Sequence, residues 1–324
     1  MKIAGKIVVL ASLGLAMSGA YADDTVNYPS RQVTLIVPFS PGGGTDTTSR
    51  FLAQKLGEIW KQSVVIENKP GASGMIGAGF VARAKPDGYT LMMGNIGTQS
   101  INPSLYKMPY DSKTAFEPIT EVAELPLILV VNPKENIKSV KDLIDTAKKE
   151  PGKLFFSSSG AGSSMQLAAE VFQKDAHIKM THVPFAGEGP AVTNLLGGQV
   201  NVTFGTILGS GPFVKQQRLL ALGVTSSKRY PAFPDVPTIA ESGLDGYNSV
   251  SWVGLLAPKG TPKAVIDKIS KDVQKVLENP DVKQKLINQG ALPVGSTPAE
   301  FSEKIASDYA LYNKIIKDNK ITVQ

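Results

Sequence analysis

Residues 33–53 read VTLIVPFSPGGGTDTTSRFLA. The first five are apolar or β-branched, which predicts a buried strand, and the apolar residues after Asp46 recur at helical spacing. Between them lies a turn with three consecutive glycines, Gly42 to Gly44. Glycine has no Cβ, and the first N–H groups of a helix lack partners within the helix. The stretch therefore predicts a strand, a tight loop and a helix start, with an anion site for a carboxylate or phosphate at the junction.

A purely structural interpretation of this turn is equally open from these residues alone. Glycine-rich turns also occur where a chain must reverse sharply, and Thr45 or Asp46 fits an ordinary helix N-cap. The nucleotide-binding fingerprints GxxxxGK[ST] and GxGxxG are absent from the stretch. The turn by itself leaves open whether it binds a ligand.

The N-terminal residues predict an export signal. Two lysines precede an apolar run, Ile7 to Leu15, and residues 20–22 read AYA, a small-x-small cleavage site. We therefore expect a Sec-type signal peptide over residues 1–22, cleavage near Ala22/Asp23 and a periplasmic mature protein.

The composition argues against several kinds of site. The chain has no cysteine, which excludes disulfides, thiolate metal sites and a cysteine nucleophile, and its two histidines disfavour a transition-metal centre. We expect neither a metal nor a cofactor. The net charge of +6 comes from lysines interleaved with acidic residues, which is typical of solvated helix faces. No nucleic-acid partner is expected.

The opening pattern of strand, Gly/Ser loop and helix recurs along the chain. It returns around Ser73 and Thr98 in the first hundred residues, and around Ser159 and Gly187 in the second half. Repeated βα units predict an α/β fold with mostly parallel sheets flanked by helices, in which ligands bind at the carboxyl ends of the strands.

The chain is expected to consist of two lobes joined by two crossings, and its 324 residues suit two domains. The strand and helix pattern changes between Phe116 and Pro133, and a strand at Ser249 to Ala257 leads into two long amphipathic helices. We assign residues 23–124 with 248–324 to a first lobe and residues 125–247 to a second lobe. Two crossings would form a hinge.

The sequence offers little support for catalysis. It contains no Gly-x-Ser-x-Gly elbow, and elements of unknown geometry separate His177 and His182 from the serine-rich loops. The acidic residues Asp46, Glu67 and Glu188 each suit a structural role, Asp46 as a cap or as the group that orients the glycine turn. The loops offer hydroxyl and backbone N–H groups and few cations, which suits reversible capture of an anion.

Six short sequence blocks are spread in order along the chain. They are PFSPGGGTD (38–46), NKPGASG (68–74), KPDGYTL (85–91), LLGGQV (195–200), PDVPT (234–238) and WVGLLAPKGTP (252–262). They resemble the signature blocks of the substrate-binding proteins of tripartite tricarboxylate transporters, the Bug family. The resemblance implies a two-lobed periplasmic binding protein of type II, a Venus flytrap, that closes on a small carboxylate and delivers it to membrane permease subunits. We expect a monomer.

The resemblance also implies where the ligand lies. One carboxylate is expected against the loop after the first strand and the neighbouring βα loops, held largely by main-chain groups and water. The ligand-binding residues it implies are Phe39, Ser40, Gly43, Thr45, Asp46, Ala72, Ser73 and Thr98 in the first lobe, and Ser159, Gly162, Ser163, Ser164, Phe185, Gly187 and Thr206 in the second lobe.

The second lobe departs from the family pattern. The loop after Phe204 commonly carries an aspartate in relatives, whereas this chain has Gly205-Thr206, which disfavours an amino-acid ligand, and Ala186 stands in place of a basic residue. The helix start that often holds a histidine has Met165-Gln166 here. Met165, Phe39 and Phe185 suit either contact with the body of a ligand or a place in the core. The expected ligand is a mono- or dicarboxylate, including aromatic acids. The competing functions are a sensory ligand-binding subunit of a two-component system and an exported α/β hydrolase.

Overall fold

The computed structural model of the protein describes residues 27–185, 187–318 and 321–322. The expected signal peptide over residues 1–22, its cleavage point and Ala186 lie outside the described residues.

The described residues form two sheets and their flanking helices. The strands are β1 (Val33–Val37), β2 (Val64–Asn68), β3 (Thr90–Asn95), β4 (Phe116–Leu125), β5 (Leu127–Val131), β6 (Phe155–Ser158), β7 (Thr181–Pro184), β8 (Val202–Thr206), β9 (Leu220–Val224), β10 (Ser251–Pro258) and β11 (Leu292–Pro293). The helices are α1 (Gly44–Trp60), α2 (Met75–Ala82), α3 (Asn102–Leu105), α4 (Val140–Lys149), α5 (Ser164–Ala176), α6 (Glu188–Gly197), α7 (Ile207–Lys215), α8 (Lys263–Glu278), α9 (Pro280–Asn288) and α10 (Pro298–Asp318). Short helical turns occupy Ala72–Gly74, Gly97–Ile101 and Pro133–Glu135.

One sheet has six strands in the order β11-β4-β10-β3-β1-β2, and the other has five in the order β7-β6-β8-β5-β9. The predicted α/β fold with helix-flanked sheets is confirmed. Most strands of each sheet run in one direction, but both sheets are mixed. β10 lies antiparallel between β3 and β4, and β5 lies antiparallel between β8 and β9. β5 and β10 are the strands by which the chain enters a sheet after each crossing, and they run against their neighbours.

The two crossings between the sheets lie side by side. β4 ends at Leu125 and β5 begins two residues later, while Ser251 at the start of β10 pairs with Leu125. Thr225, directly after β9, binds both segments: its hydroxyl oxygen accepts from the Leu127 N–H at 2.8 Å, and its carbonyl accepts from the Ser249 N–H at 3.0 Å.

This connection determines which loops face each other. β1, β2 and β3 run parallel to β4, so their carboxyl ends lie at the edge where β4 ends and the crossing begins. β6, β7 and β8 run antiparallel to β5, which starts at the crossing, and Thr206 at the end of β8 pairs with Leu127. The βα loops of both sheets therefore lie at the ends of the sheets nearest the crossings.

Helices cover both faces of the six-stranded sheet. One apolar cluster joins β1 and β3 to α1, α8 and α9, with Leu56 and Ile269 at its centre, and α2 and α10 cover the other face. There Trp252 lies edge-on to Phe301 with ring centroids 5.0 Å apart, and its Nε1–H donates to Asp308 Oδ2 at 2.7 Å. These two contacts attach α10 to the start of β10, the strand by which the chain returns to this sheet.

Glu121 is a buried carboxyl group on β4. Its side chain is 4% exposed, and its Oε1 has no hydrogen-bond partner among the described residues. Burial raises the pKa of Glu121 to about 7; the charge of Lys304 opposes this rise, and the carboxylates of Glu124 and Asp308 add to it. The folded protein therefore binds a proton at this site at pH values where an exposed glutamate is already ionised.

This proton gives a first prediction, on the pH dependence of stability. The folded pKa lies above the unfolded value of 4.5, so the free energy of unfolding should fall as the pH rises from about 4.5 to about 7. In the wild type the free energy of unfolding should fall by about 1.4 kcal/mol for each pH unit between these two values. Glu121→Gln removes the titrating group and should abolish this part of the decline. Urea unfolding at pH 5, 6, 7 and 8 measures the effect.

The matched control is Glu117→Gln, which alters a partly exposed carboxylate of the same strand and should leave the decline in place. An identical pH slope in wild type and Glu121→Gln would show that Glu121 does not titrate in this window.

Candidate ligand-binding site

The loop between β1 and α1 is held by the carboxylate of Asp46. This carboxylate is 2% exposed and accepts hydrogen bonds from the Gly42 N–H at 2.9 Å, Arg50 Nε at 2.9 Å and Asn68 Nδ2 at 2.8 Å. Asn68 Nδ2 also donates to the Phe39 carbonyl at 3.0 Å. Burial by itself would raise the pKa of Asp46, but these hydrogen bonds outweigh it and hold the pKa below its usual range. The charged carboxylate fixes the glycine turn from within.

The N-terminus of α1 lies open at the end of this loop. Gly43 is its N-cap, with extended backbone and no side-chain cap, and the first helical hydrogen bond runs from the Thr47 N–H to the Gly43 carbonyl at 2.9 Å. The N–H groups of residues 44–46 therefore have no partner inside the helix. A Cβ built on Gly43 would meet no atom within 4 Å, and Ser40 to Gly43 are exposed. Space and donors for an anion coincide here.

The loops after β1, β2 and β3 meet beside this N-terminus. A Cβ on Gly74 would lie 2.8 Å from Thr98 Cγ2 and 3.1 Å from Phe39 Cζ, so residues of three loops surround that position. Ala72 and Ser73 have φ angles of 46° and 54° and are exposed. The structure thus brings the sequence-predicted residues of the first lobe together at one edge of the sheet.

Besides Asp46, two of the expected ligand residues in the first lobe are buried. Thr45 is 8% exposed and Thr98 is 1% exposed. The Thr98 hydroxyl donates to the Asn95 carbonyl at 3.0 Å, and its N–H donates to Asn95 Oδ1 at 3.0 Å. Thr98 therefore closes the turn after β3, and its hydroxyl is not directed to solvent. Ser73 keeps an exposed hydroxyl, 3.1 Å from the hydroxyl of Tyr106.

In the second lobe, the loops after β6 and β7 adjoin. Ser163 caps α5 by accepting from the Gln166 N–H at 3.3 Å, and Gly162 donates its N–H to Gln166 Oε1 at 2.8 Å. The Phe185 N–H donates to the Ser158 carbonyl at 3.0 Å. Ser159, Ser164 and Phe185 are partly exposed, whereas the Gly162 N–H already has its partner.

Sequence reasoning assigned Glu188 an ordinary structural role, but the structure gives it a central place in the second lobe. Glu188 follows Gly187, the N-cap of α6, and its Oε1 and Oε2 accept from the Thr206 N–H at 2.6 Å and the Thr206 hydroxyl at 2.8 Å. Burial raises the pKa of Glu188, although both hydrogen bonds from Thr206 lower it. The two residues are 18 positions apart, so only the pairing of the loops brings them together.

A serine–histidine pair is present but does not form a catalytic site. Ser158 Oγ lies 2.7 Å from His182 Nε2 on the neighbouring strand, and the imidazole stacks on Phe156 with centroids 4.9 Å apart. Ser158 is fully buried, and its hydroxyl also donates to the Gly160 carbonyl at 3.0 Å. Burial lowers the pKa of His182 to about 4, so the ring is neutral at pH 7. Without access to solvent, Ser158 cannot attack a substrate.

The described residues contain no cluster of three or more His, Asp or Glu side chains placed to hold a metal ion. Nor does any helix among them have the length and apolarity needed to cross a membrane.

Two helix-flanked sheets joined by paired crossings, with polar glycine-rich loops on the facing edges, define the class of two-lobed solute-binding proteins. The chain matches the model of the tripartite tricarboxylate transporter family receptor over residues 48–321. It therefore belongs to this family, whose members are periplasmic substrate-binding receptors and not enzymes.

Individual relatives agree with this assignment. The chain is 33% identical to protein BugT of Bordetella pertussis, over 97% of each chain. It superposes on a structure described as R. palustris Rpa4515 with adipate, with a TM-score of 0.82, 36% identity and coverage of 91% of this chain and 99% of the other. MatC from Rhodopseudomonas palustris with bound malate gives a TM-score of 0.77 and 31% identity, over 89% of this chain and 100% of MatC.

The loop geometry predicts the effect of Asp46→Asn. The amide can accept fewer of the three hydrogen bonds and loses the charge, so we expect a loss of about 1 to 3 kcal/mol in the free energy of unfolding. The Gly42 amide, which donates to this carboxylate, should exchange with solvent faster. The control Asp267→Asn removes an exposed i,i+4 pair with Lys263 and should cost less than about 0.5 kcal/mol. Equal losses in both variants would contradict the anchoring role of Asp46.

Proposed function

We propose that the protein is a periplasmic receptor that captures a small organic carboxylate between two lobes and delivers it to the permease of a tripartite tricarboxylate transporter. The observation that carries this proposal is the N-terminus of α1, where N–H groups without a partner in the helix lie beside the open space at Gly43, on a turn that the Asp46 carboxylate holds in place. The adipate of Rpa4515 and the malate of MatC support a carboxylate as the bound anion.

The proposed lobes are residues 23–124 with 248–324, and residues 125–247. The ligand binds in the cleft beside the two crossings, and closure of the lobes on it selects the form that the permease recognises. A signal peptide over residues 1–22, cleaved near Ala22/Asp23, takes the chain to the periplasm, where it acts as a monomer.

In the first lobe, one carboxylate of the ligand accepts hydrogen bonds from main-chain groups of the glycine turn and of the first turn of α1. Ser40 and Gly43 border it directly, Ala72 and Ser73 flank it, and Asp46 positions the turn without contacting it. Backbone donors at a helix N-terminus hold a carboxylate without a paired cation, because the helix dipole contributes to the binding energy.

In the second lobe, the opposite wall is formed by residues of three βα loops. These are Ser159, Gly162, Ser163, Ser164, Phe185, Gly187 and Thr206. Their partly exposed side chains are hydroxyls and one aromatic ring, which suits contact with the body of a small organic acid.

A thermal-shift screen of small carboxylates tests this function. A ligand present at 100 times its Kd should stabilise the protein by about 2.7 kcal/mol, which amounts to several degrees in Tm. Bound acids should be recovered unchanged. Hydrolysis of an ester or amide by the purified protein, or no shift with any acid of the screen, would contradict the proposal.

Gly43→Val tests the place of the anion. A Cβ at position 43 meets no protein atom within 4 Å and the backbone there is extended, so the fold should be retained, while the branched side chain takes up space beside the N–H groups of residues 44–46. We expect carboxylate affinity to fall by about 100-fold or more, measured by calorimetry.

The control Gln32→Val adds the same side chain to an exposed position directly before β1, at the opposite edge of the sheet, and should leave affinity unchanged. Wild-type affinity in a folded Gly43→Val protein would place the anion elsewhere.

A further inference from the structure

The second lobe also has a helix N-terminus at the cleft, but the chain's own carboxylate occupies it. Thr206 is the N-cap of α7, and its hydroxyl oxygen accepts from the Gly209 N–H at 2.9 Å. The Glu188 carboxylate receives both the N–H and the hydroxyl of this N-cap, at 2.6 and 2.8 Å. Glu188 is itself the first residue of α6, so its charge lies at the positive ends of two helices.

The backbone around this carboxylate leaves room for nothing larger. A Cβ on Gly209 would lie 2.4 Å from the Glu188 carboxyl carbon, and a Cβ on Gly205 would lie 3.3 Å from its Oε1. Both positions are glycine, so the carboxylate rests directly against the main chain. The helix N-terminus that could receive a second ligand carboxylate is thus filled by the protein.

The same carboxylate lies on the cleft side of the second lobe. Thr206, the last residue of β8, pairs with Leu127 next to the crossing. A Cβ built on Gly187, the N-cap of α6, would meet no atom within 4 Å. Glu188 is partly exposed, and it takes part in none of the ion pairs formed among the described residues. No neighbouring cation among these residues balances its charge; the two hydrogen bonds from Thr206 and the two helix N-termini are the contacts that favour its charged form and oppose the rise in pKa that burial causes.

We propose that Glu188 determines specificity by rejecting a second ligand carboxylate at the second lobe, so that the receptor selects monocarboxylates whose far end is uncharged or donates a hydrogen bond. This inference rests on the proposed function, since it assumes that the first carboxylate binds at α1. Rpa4515 and MatC, by contrast, are described with the dicarboxylates adipate and malate.

Two physical effects produce this preference. A second carboxylate would meet a like charge in a partly desolvated cleft, and it would find the donors of Thr206 already used. A hydroxyl or amide group at the far end of the ligand can instead donate to Glu188, because this carboxylate accepts two hydrogen bonds from Thr206 and can accept more. The first lobe would hold the anion, and the second lobe would recognise the neutral end.

The test compares three acids at each chain length from four to eight carbons: the alkanoate, the ω-hydroxy acid and the α,ω-dicarboxylate. Calorimetry at pH 7.5 measures their affinities for wild type, Glu188→Gln and Glu188→Asp. Wild type should bind its best monocarboxylate at least about tenfold more tightly than the dicarboxylate of that length. Glu188→Gln should reduce this ratio by about tenfold or more, whereas Glu188→Asp keeps the charge and should keep the preference.

The matched control is Glu150→Gln, which makes the same charge change at the exposed end of α4 and should leave the ratio unchanged. Equal or tighter binding of the dicarboxylate by wild type would overturn the inference without any variant. So would a folded Glu188→Gln protein with the wild-type ratio. Binding of no acid of any class by either wild type or Glu188→Gln would instead contradict the proposed function, and this inference with it.

Discussion

The hydrogen bonds to the Asp46 carboxylate hold the glycine turn in place, and the proposed binding site depends on this turn. Asp46 binds the Gly42 N–H, the Arg50 guanidinium and the Asn68 amide, and Asn68 in turn binds the Phe39 carbonyl. One buried anion thus ties the end of β1, the glycine turn, the first turn of α1 and the end of β2 into a single unit. Because its charge is satisfied from within, the N-terminus of α1 stays free for an external anion.

The two lobes use the same element in opposite ways. In the first lobe the helix N-terminus is open, and in the second lobe the N-terminus of α7 is closed by Glu188. Under the proposed function, this asymmetry would let the receptor recognise an acid by its two different ends. The proposed specificity therefore depends on two internal carboxylates. Asp46 supports the glycine turn, and Glu188 occupies the N-terminus of α7, where a ligand carboxylate could otherwise bind.

Local pattern was sufficient to predict the α/β fold and the residues of the glycine turn, because strand and helix periodicity and turn composition are local properties. It also identified Asp46 as a group able to orient the turn. The inward position of Thr98 was not predicted, since it depends on the Asn95 side chain closing the same turn. The role of Glu188 was missed because its partner, Thr206, comes from another strand and the contact forms only when β7 and β8 join one sheet. The pairing of Ser158 with His182 across two strands has the same origin.

A crystal structure of the protein with its tightest-binding carboxylate would test the central claim most directly. A carboxylate group within hydrogen-bond distance of the N–H groups of residues 43–46, with the loops of both sheets closed around the ligand, is the predicted result. The surface also offers a basic groove at the opposite end of β1, lined by Arg31, Arg83 and Lys85. A carboxylate bound in that groove, with the glycine turn empty, would contradict the assignment of the cleft.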